Sequence, residues 1–267
     1  MRAPDPVIDP PIVESSPVAD VSEPLVSLLA PGSFAADQYR TLRHTIEQMR
    51  RTANLHVLAV TSPGPGDGKT VTTLNVAGSL AQSPDLRVLV IDTDLRRPSI
   101  GAYLGLPVQS LRGLADLISD PRASLDEAVV HLRPYNLSVV PAGSRSSGFY
   151  ELLNSPRIDC LLREARRSYD IVLVDTPPLL PLPDCRLISR SVDAFLLVVA
   201  AHRTPRRMVS EAVAVLDAAK LIGIVFNGDD RPAAGHYGKY GYYYSQPTDS
   251  HLTWWQRAWN PTNRRRF

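Results

Sequence analysis

The stretch HVLAVTSPGPGDGKTVTTLNVAGSLA, residues 56–81, decides the fold. It opens on an apolar, β-branched run, His56–Thr61, and passes through a turn carrying Gly64, Gly66 and Gly68. It then becomes helical in composition over Lys69–Gln82. Glycines without Cβ atoms let a tight loop turn its backbone N–H groups onto phosphate oxygens, and the helix that follows adds its positive N-terminal end. Lys69 is placed to reach the β- and γ-phosphates and the Thr70 hydroxyl to ligate Mg²⁺. One departure stands out: the first glycine of the G-x-x-x-x-G-K-[ST] pattern is Pro63 here. A merely structural strand–helix turn explains the glycines but not the Lys-Thr pair, since Lys69 is one of only three lysines in the chain. The loop therefore reads as a nucleotide site built from Gly64, Gly66, Asp67, Gly68, Lys69, Thr70 and Val71.

Outward from this loop, short apolar runs alternate with amphipathic stretches. Strands are predicted at Arg87–Asp92, Leu137–Pro141, Ile171–Asp175, Ala194–Ala200 and Leu221–Phe226; helices at Phe34–Arg51, Arg157–Arg167 and Arg206–Lys220. Strands apolar throughout and separated by helices predict an α/β, doubly wound, mostly parallel sheet of the P-loop NTPase type, with helices on both faces. Residues 1–33 hold seven prolines and five acids but one basic residue, without an apolar period, and are predicted to be disordered. Residues 34–227 form the predicted domain. Residues 228–267, rich in Gly, Tyr, Ser, Pro and Trp, read as a flexible tail.

Composition excludes several classes. The longest apolar run, Ala194 to Ala201, is far short of the ~20 residues a membrane-spanning helix needs. A net charge of +2 argues against a general nucleic-acid binder. The two cysteines, Cys160 and Cys185, lack metal-ligand spacing and read as reduced, buried thiols.

Two acidic stations end predicted strands. RVLVIDTDLRRP runs into Asp92 and Asp94, and YDIVLVDTPP runs into Asp175. Ligands of open parallel sheets gather at the carboxyl ends of strands, so these acids and the phosphate loop are expected on one edge. Asp175 is a candidate Mg²⁺ ligand. An isolated aspartate at a strand end is often only a turn cap, but three beside a phosphate loop exceed that role. The doubled Asp92-x-Asp94 suits transfer to a hydroxyl: a tyrosine hydroxyl with a pKa near 10 needs a base at neutral pH.

These motifs resemble those of the bacterial tyrosine kinases, cytoplasmic autokinases of capsule and exopolysaccharide export. SPGPGDGKT, VLVIDTDLRRP and IVLVDTPP occur in the family's order, with DQYRTLR upstream and YGKYGYYY at the end. The resemblance covers roughly residues 25–244. It implies an ATP- and Mg²⁺-dependent protein-tyrosine autokinase in which Lys69, Asp92 and Asp94 are catalytic, and Thr70, Asp92 and Asp175 serve the metal. Asn227 resembles a base-contacting residue, and Asp184 an acid that follows the second station. It also implies a homo-oligomeric ring, a separate membrane polysaccharide copolymerase that anchors and activates the kinase at the inner membrane face, and an opposing phosphotyrosine phosphatase.

Five of the ten tyrosines, Tyr237, Tyr240, Tyr242, Tyr243 and Tyr244, lie in the tail, outside any periodic segment. Alone they suit stacking on sugars or single strands, or an aggregation-prone patch; beside a kinase site they read as its substrate. Asp37, Arg40 and Arg43 fall along one helix face. Most such faces are only solvated, but the resemblance implies an oligomer interface, with Asp37 one methylene shorter than the family's Glu. All three tryptophans fall in HLTWWQRAWNPTNRRRF, a candidate membrane-surface contact or partner clip as well as a segment that folds back on the protein. Two other readings remain: a partition or cell-division type ATPase switch, which ordinarily carries a lysine where Pro63 stands, and a catalytically weak, nucleotide-dependent regulator of polysaccharide export.

Overall fold

The computed structural model describes residues 21–143 and 148–228. In chain order its helices and strands are α1 (Val26–Leu29), α2 (Phe34–Thr52), β1 (Val57–Thr61), α3 (Lys69–Ala81), β2 (Val88–Asp92), α4 (Ile100–Tyr103) and α5 (Leu114–Ser119). There follow β3 (Val130–Leu132), β4 (Leu137–Val140), α6 (Phe149–Leu153), α7 (Arg157–Ser168), β5 (Ile171–Asp175), α8 (Asp184–Ile188), β6 (Ala194–Ala200), α9 (Arg206–Val215) and β7 (Leu221–Asn227). The seven strands lie in the order β3-β4-β2-β5-β1-β6-β7. All neighbours run parallel except β3, which pairs antiparallel with β4 at one edge.

Every residue of β1, β2 and β5 is buried, because helices cover both faces of the sheet. One core layer joins Val57, Leu89 and Val172 to α7 through Leu161 and Ala165. The other joins Leu58, Val90 and Leu173 to α3 through Leu74 and Ala77. Register brings the acidic stations level: Asp92 and Asp175 are direct partners across β2 and β5, and Val60 of β1 pairs with Asp175.

The sheet and its flanking helices match the expected architecture, with short helices α4, α5, α6 and α8 beyond those expected and three further differences. The first lies in residues 21–33, assigned above to a disordered segment. Leu25 is fully buried, the Ser27 amide donates to Asn75 Oδ1 at 2.9 Å, and Asn75 Nδ2 donates to Pro24 O at 2.9 Å. A Cβ on Gly78 would lie 2.6 Å from Leu28 Cδ2, so the glycine makes the notch that α1 fills. Leu25 and Leu28 supply the burial that an overall count of prolines and acids conceals. Second, β3 went unread, being three residues long and followed directly by Arg133-Pro134. Third, α9 stops at Val215, and Lys220 lies beyond it, donating to Ser189 O at 2.6 Å and Val192 O at 2.8 Å. Both cysteines are free thiols; Cys185 is buried as expected, whereas Cys160 is only half-buried. The tyrosine cluster 237–244, the tryptophan segment and residues 1–20 lie outside the described residues.

Candidate active site

The glycine-rich turn between β1 and α3 closes on Gly66 and Gly68, both left-handed at φ 80° and 93°. Gly68 caps α3, and no side chain caps that end, which leaves the orphan N–H groups of the first turn for a ligand. A Cβ at Gly68 would meet the Asn227 amide at 1.9 Å, so the close approach of β7 requires glycine there. Asn227 Nδ2 donates to Asp67 O at 3.0 Å. Asn227 thus holds the loop, whatever else it contacts. Asp67 is buried, its carboxylate accepting from the Gly64 amide at 3.1 Å. Val71 lies in the first turn of α3.

Lys69 Nζ pairs with Asp94 Oδ2 at 3.0 Å. Burial alone would lower the lysine pKa, but Asp175, Asp94 and Asp92 outweigh it and raise it. Thr70 Oγ1 donates to Asp175 Oδ2 at 2.6 Å, and Thr73 Oγ1 lies 3.4 Å from Asp175 Oδ1. Asp175 is fully buried, and that desolvation pushes its carboxyl up to about 6 against the pull of Lys69 and Thr70. Asp92 is raised well above the usual carboxylate range, first by burial and then by the charge of Asp175. Its Oδ1 accepts from the Asp94 amide at 3.1 Å and its Oδ2 from the amides of Ser99 and Ile100 at 3.2 and 3.3 Å. The expected set of Lys69, Thr70, Asp92, Asp94 and Asp175 therefore converges at one sheet edge.

Such a donor set fits a divalent cation. Two desolvated carboxylates share one lysine, and a hydroxyl sits against one of them; a cation would remove the cost recorded in their raised pKa values. Among the described residues no group of three or more His, Cys, Asp or Glu is placed to hold a metal ion unaided. Mg²⁺ characteristically takes one or two protein ligands and completes its shell with phosphate and water. Of the residues expected to serve the metal, Asp92 has both oxygens engaged by backbone N–H groups, while Thr70 and Asp175 are hydrogen-bonded to each other.

Asp184 is buried and held by Arg96, Nε to Oδ2 at 2.7 Å, while the Arg96 guanidinium lies over the Phe149 ring at 5.4 Å. The ion pair ties the loop after β2 to α8. Sequence reasoning missed Thr73, one turn after Thr70 on the same helix face, a spacing visible in KTVTT. It also missed Ser99, whose Oγ donates to Thr70 Oγ1 at 3.1 Å, and nothing in its local sequence announced it. On α2, Asp37 and Arg40 form an ion pair, while Arg43 turns inward, donating to Glu47 Oε1 at 2.7 Å and Ser79 O at 2.9 Å. The three do not present one free charged face: Arg43 is engaged within its own chain.

Comparison with known proteins agrees with this geometry. An AAA-domain family profile matches residues 55–203, from just before β1 to the loop after β6. Tyrosine-protein kinase YwqD of Bacillus subtilis (strain 168) is 31% identical over 219 residues, covering 81% of this chain and 91% of that protein. Tyrosine-protein kinase CpsD of Streptococcus pneumoniae is 33% identical over 71% of this chain and 82% of its own. The chain spans only 29% of a longer relative, the succinoglycan biosynthesis transport protein ExoP of Rhizobium meliloti (strain 1021), at 30% identity. Among solved structures, the kinase domain of Escherichia coli tyrosine kinase ETK superposes with a TM-score of 0.74 at 27% identity, covering 84% of this chain and 87% of that one. The septum site-determining protein MinD of Pyrococcus horikoshii OT3, at 21% identity and a TM-score of 0.56, shares the fold alone. A phosphate loop facing two acidic strand ends, on a sheet shared with kinase domains of this kind, places the chain in the family of bacterial tyrosine-protein kinases.

Proposed function

We propose that this protein-tyrosine kinase transfers the γ-phosphoryl group of Mg·ATP to the tyrosines of a C-terminal cluster, Tyr237, Tyr240, Tyr242, Tyr243 and Tyr244, of its own chain or of a second copy. The Lys69–Asp94 pair beside the buried Asp175 carries this reading. The backbone of the Gly64–Val71 loop with Lys69, and Asn227 beside it, would hold nucleotide; Thr70 and Asp175 would hold Mg²⁺. The bound cation supplies charge neutralisation for the transferring phosphoryl group. When Lys69 turns to phosphate it releases the Asp94 carboxylate, which then accepts the tyrosine hydroxyl proton as that oxygen attacks the γ-phosphorus and the bond to the β,γ-bridging oxygen breaks, releasing ADP. Asp92, locked by three backbone amides, keeps the loop of Asp94 in place and would add its charge to the metal side of the site.

Several relatives join a kinase region to a longer chain, so the partner proposed is a membrane polysaccharide copolymerase that activates this kinase at the inner face of the cell membrane. No helix among the described residues is long and apolar enough to cross a membrane. Self-assembly through α2, with Arg40 as the exposed contact, would bring the tail to a neighbour's site, and a phosphotyrosine phosphatase would reset it. The added charge, about −1.5 to −2 per phosphotyrosine, suits control of polysaccharide polymerisation or export.

The test is incubation of pure protein with Mg·ATP and site mapping of phosphotyrosine by mass spectrometry. Label is expected chiefly on residues 237–244, lost in Lys69→Met, and transferred to a Lys69→Met chain by an active chain whose five tail tyrosines are Phe. Label chiefly on Tyr39, Tyr103 or Tyr169 would reject the tail as substrate.

A further inference from the structure

The phosphate loop is held from behind by residues that belong to neither the loop nor the acidic stations. Asp67, the residue before Gly68-Lys69, is 6% exposed at its side chain, yet its carboxylate is engaged by the rest of the chain. Oδ2 accepts from the Gly64 amide at 3.1 Å, and Oδ1 accepts from Thr204 Oγ1 at 2.7 Å. The Thr204 hydroxyl is orientationally determined. Its oxygen accepts from the Ala200 amide at 3.1 Å, and a carboxylate cannot donate, so the hydroxyl proton points at Asp67. The neighbouring Arg203 donates to Gly66 O and lies 3.9 Å from Asp67 Oδ1. The turn after β6 thus grips the loop at Gly66 and Asp67, while Asn227 at the end of β7 grips the Asp67 carbonyl.

We propose that Thr204 is a positioning residue of the nucleotide site: acting through the Asp67 carboxylate, and supported by Arg203, it holds the phosphate loop in its binding conformation before nucleotide arrives. Asp67 accordingly serves the loop through its carboxylate, and no nucleotide atom is assigned to that group. The physical reason is conformational. Gly66 and Gly68 sit in left-handed conformations with no side chains of their own to anchor them, so the loop would sample many shapes if left alone. Nucleotide binding would then bear the ordering cost that the Thr204–Asp67 bond, donated to a charged acceptor in a buried place, removes in advance.

This inference rests on the assignment of residues 64–71 to nucleotide, and the test separates the two. Equilibrium binding of Mg·ADP and of a non-hydrolysable ATP analogue is measured by calorimetry on wild type, Lys69→Met, Thr204→Val, Thr204→Ser, Asp67→Asn and the Thr204→Val/Asp67→Asn double variant. Thr204→Val keeps the shape and removes the hydroxyl; it should weaken both ligands about tenfold, as loss of a hydrogen bond to a charged group does. Thr204→Ser should return affinity to within about twofold of wild type, because the hydroxyl and not the methyl is the working group. In the double variant the losses should be far from additive, as for two residues acting on one contact. Arg203→Ala, a 63% exposed side chain whose loss leaves the core untouched, should weaken binding about two- to threefold and covers the case in which Thr204→Val does not fold. Failure of the wild type to bind nucleotide would remove the site assignment itself. Normal binding by wild type together with unimpaired binding by Thr204→Val, a Thr204→Ser variant as weak as Thr204→Val, or additive losses would each overturn the positioning role while leaving the site in place.

Discussion

Opposite ends of the same sheet treat buried charge in opposite ways. At the carboxyl ends of the strands, Asp92, Asp94 and Asp175 face one lysine, and the carboxyls of Asp92 and Asp175 are held above their ordinary range. At the other end, Asp193 meets Arg166 at 2.7 Å and accepts from the amides of His56 and Val57 at 2.9 and 2.8 Å. Burial alone would raise Asp193, yet the arginine and the two amides hold it below the usual range. A recess of about 330 Å³ opens there, lined by Asp159, Arg163, Arg166 and Arg190. Most of its charges are matched from within: Arg190 pairs with Asp159 and Arg166 with Asp193, while Arg163 donates to Cys160 Sγ. A matched ion pair is structural. A cluster short of positive charge is a candidate site, and the raised carboxyls there point the same way as the geometry.

The sharpest break of this comparison is Lys69→Met. Removal of the lysine that pairs with Asp94 at the acidic edge should lower phosphotyrosine formation by at least about 10²-fold, with the fold retained by circular dichroism. Activity within threefold of wild type would end the contrast as drawn. At the same edge, Asp175→Asn should abolish Mg²⁺-dependent nucleotide binding and yet stabilise the empty protein by roughly 1–3 kcal/mol at pH 7, since it removes a desolvated charge from an under-compensated cluster. The folded carboxyl titrates near 6 and the unfolded one near 3.8, so the native state binds the extra proton between them. The wild-type penalty is therefore full above about pH 6 and fades towards pH 4, and the advantage of Asp175→Asn should shrink over that window. A melting temperature unchanged at pH 7, or an advantage that grows on acidification, would contradict the assignment.

At the matched end the same kind of change should have the opposite sign. Asp193→Ala leaves Arg166 and two amides without their acceptor and should cost about 1–2 kcal/mol, a partly exposed pair contributing modestly, with nucleotide affinity unaltered. The folded pKa of Asp193 is depressed, so this contribution is present above the ordinary carboxylate pKa and is lost as pH falls through the lower folded value. Denaturant unfolding at pH 7 and pH 3 should show the difference between variant and wild type closing at the acid end.

Glycines, a Lys-Thr pair and aspartates closing apolar runs were legible in the linear sequence because each acts through local geometry: a glycine permits a turn, an apolar run makes a strand, and parallel strands bring their ends to one edge. Those rules located the phosphate loop, both acidic stations and the sheet. Residues 21–33 were misread because Leu25 and Leu28 are buried by Asn75 and Gly78, some fifty residues away, and no local composition records that contact. Ser99, Arg203 and Thr204 were invisible for the same reason, since each acquires its role only when a distant loop is carried against the phosphate loop. Burial was likewise decided only in three dimensions. An aspartate in a string of letters has its ordinary pKa; the packing of β2 against β5 strips its water away and leaves Asp92 and Asp175 short of a cation, whereas at the far end of the sheet Arg166 was at hand.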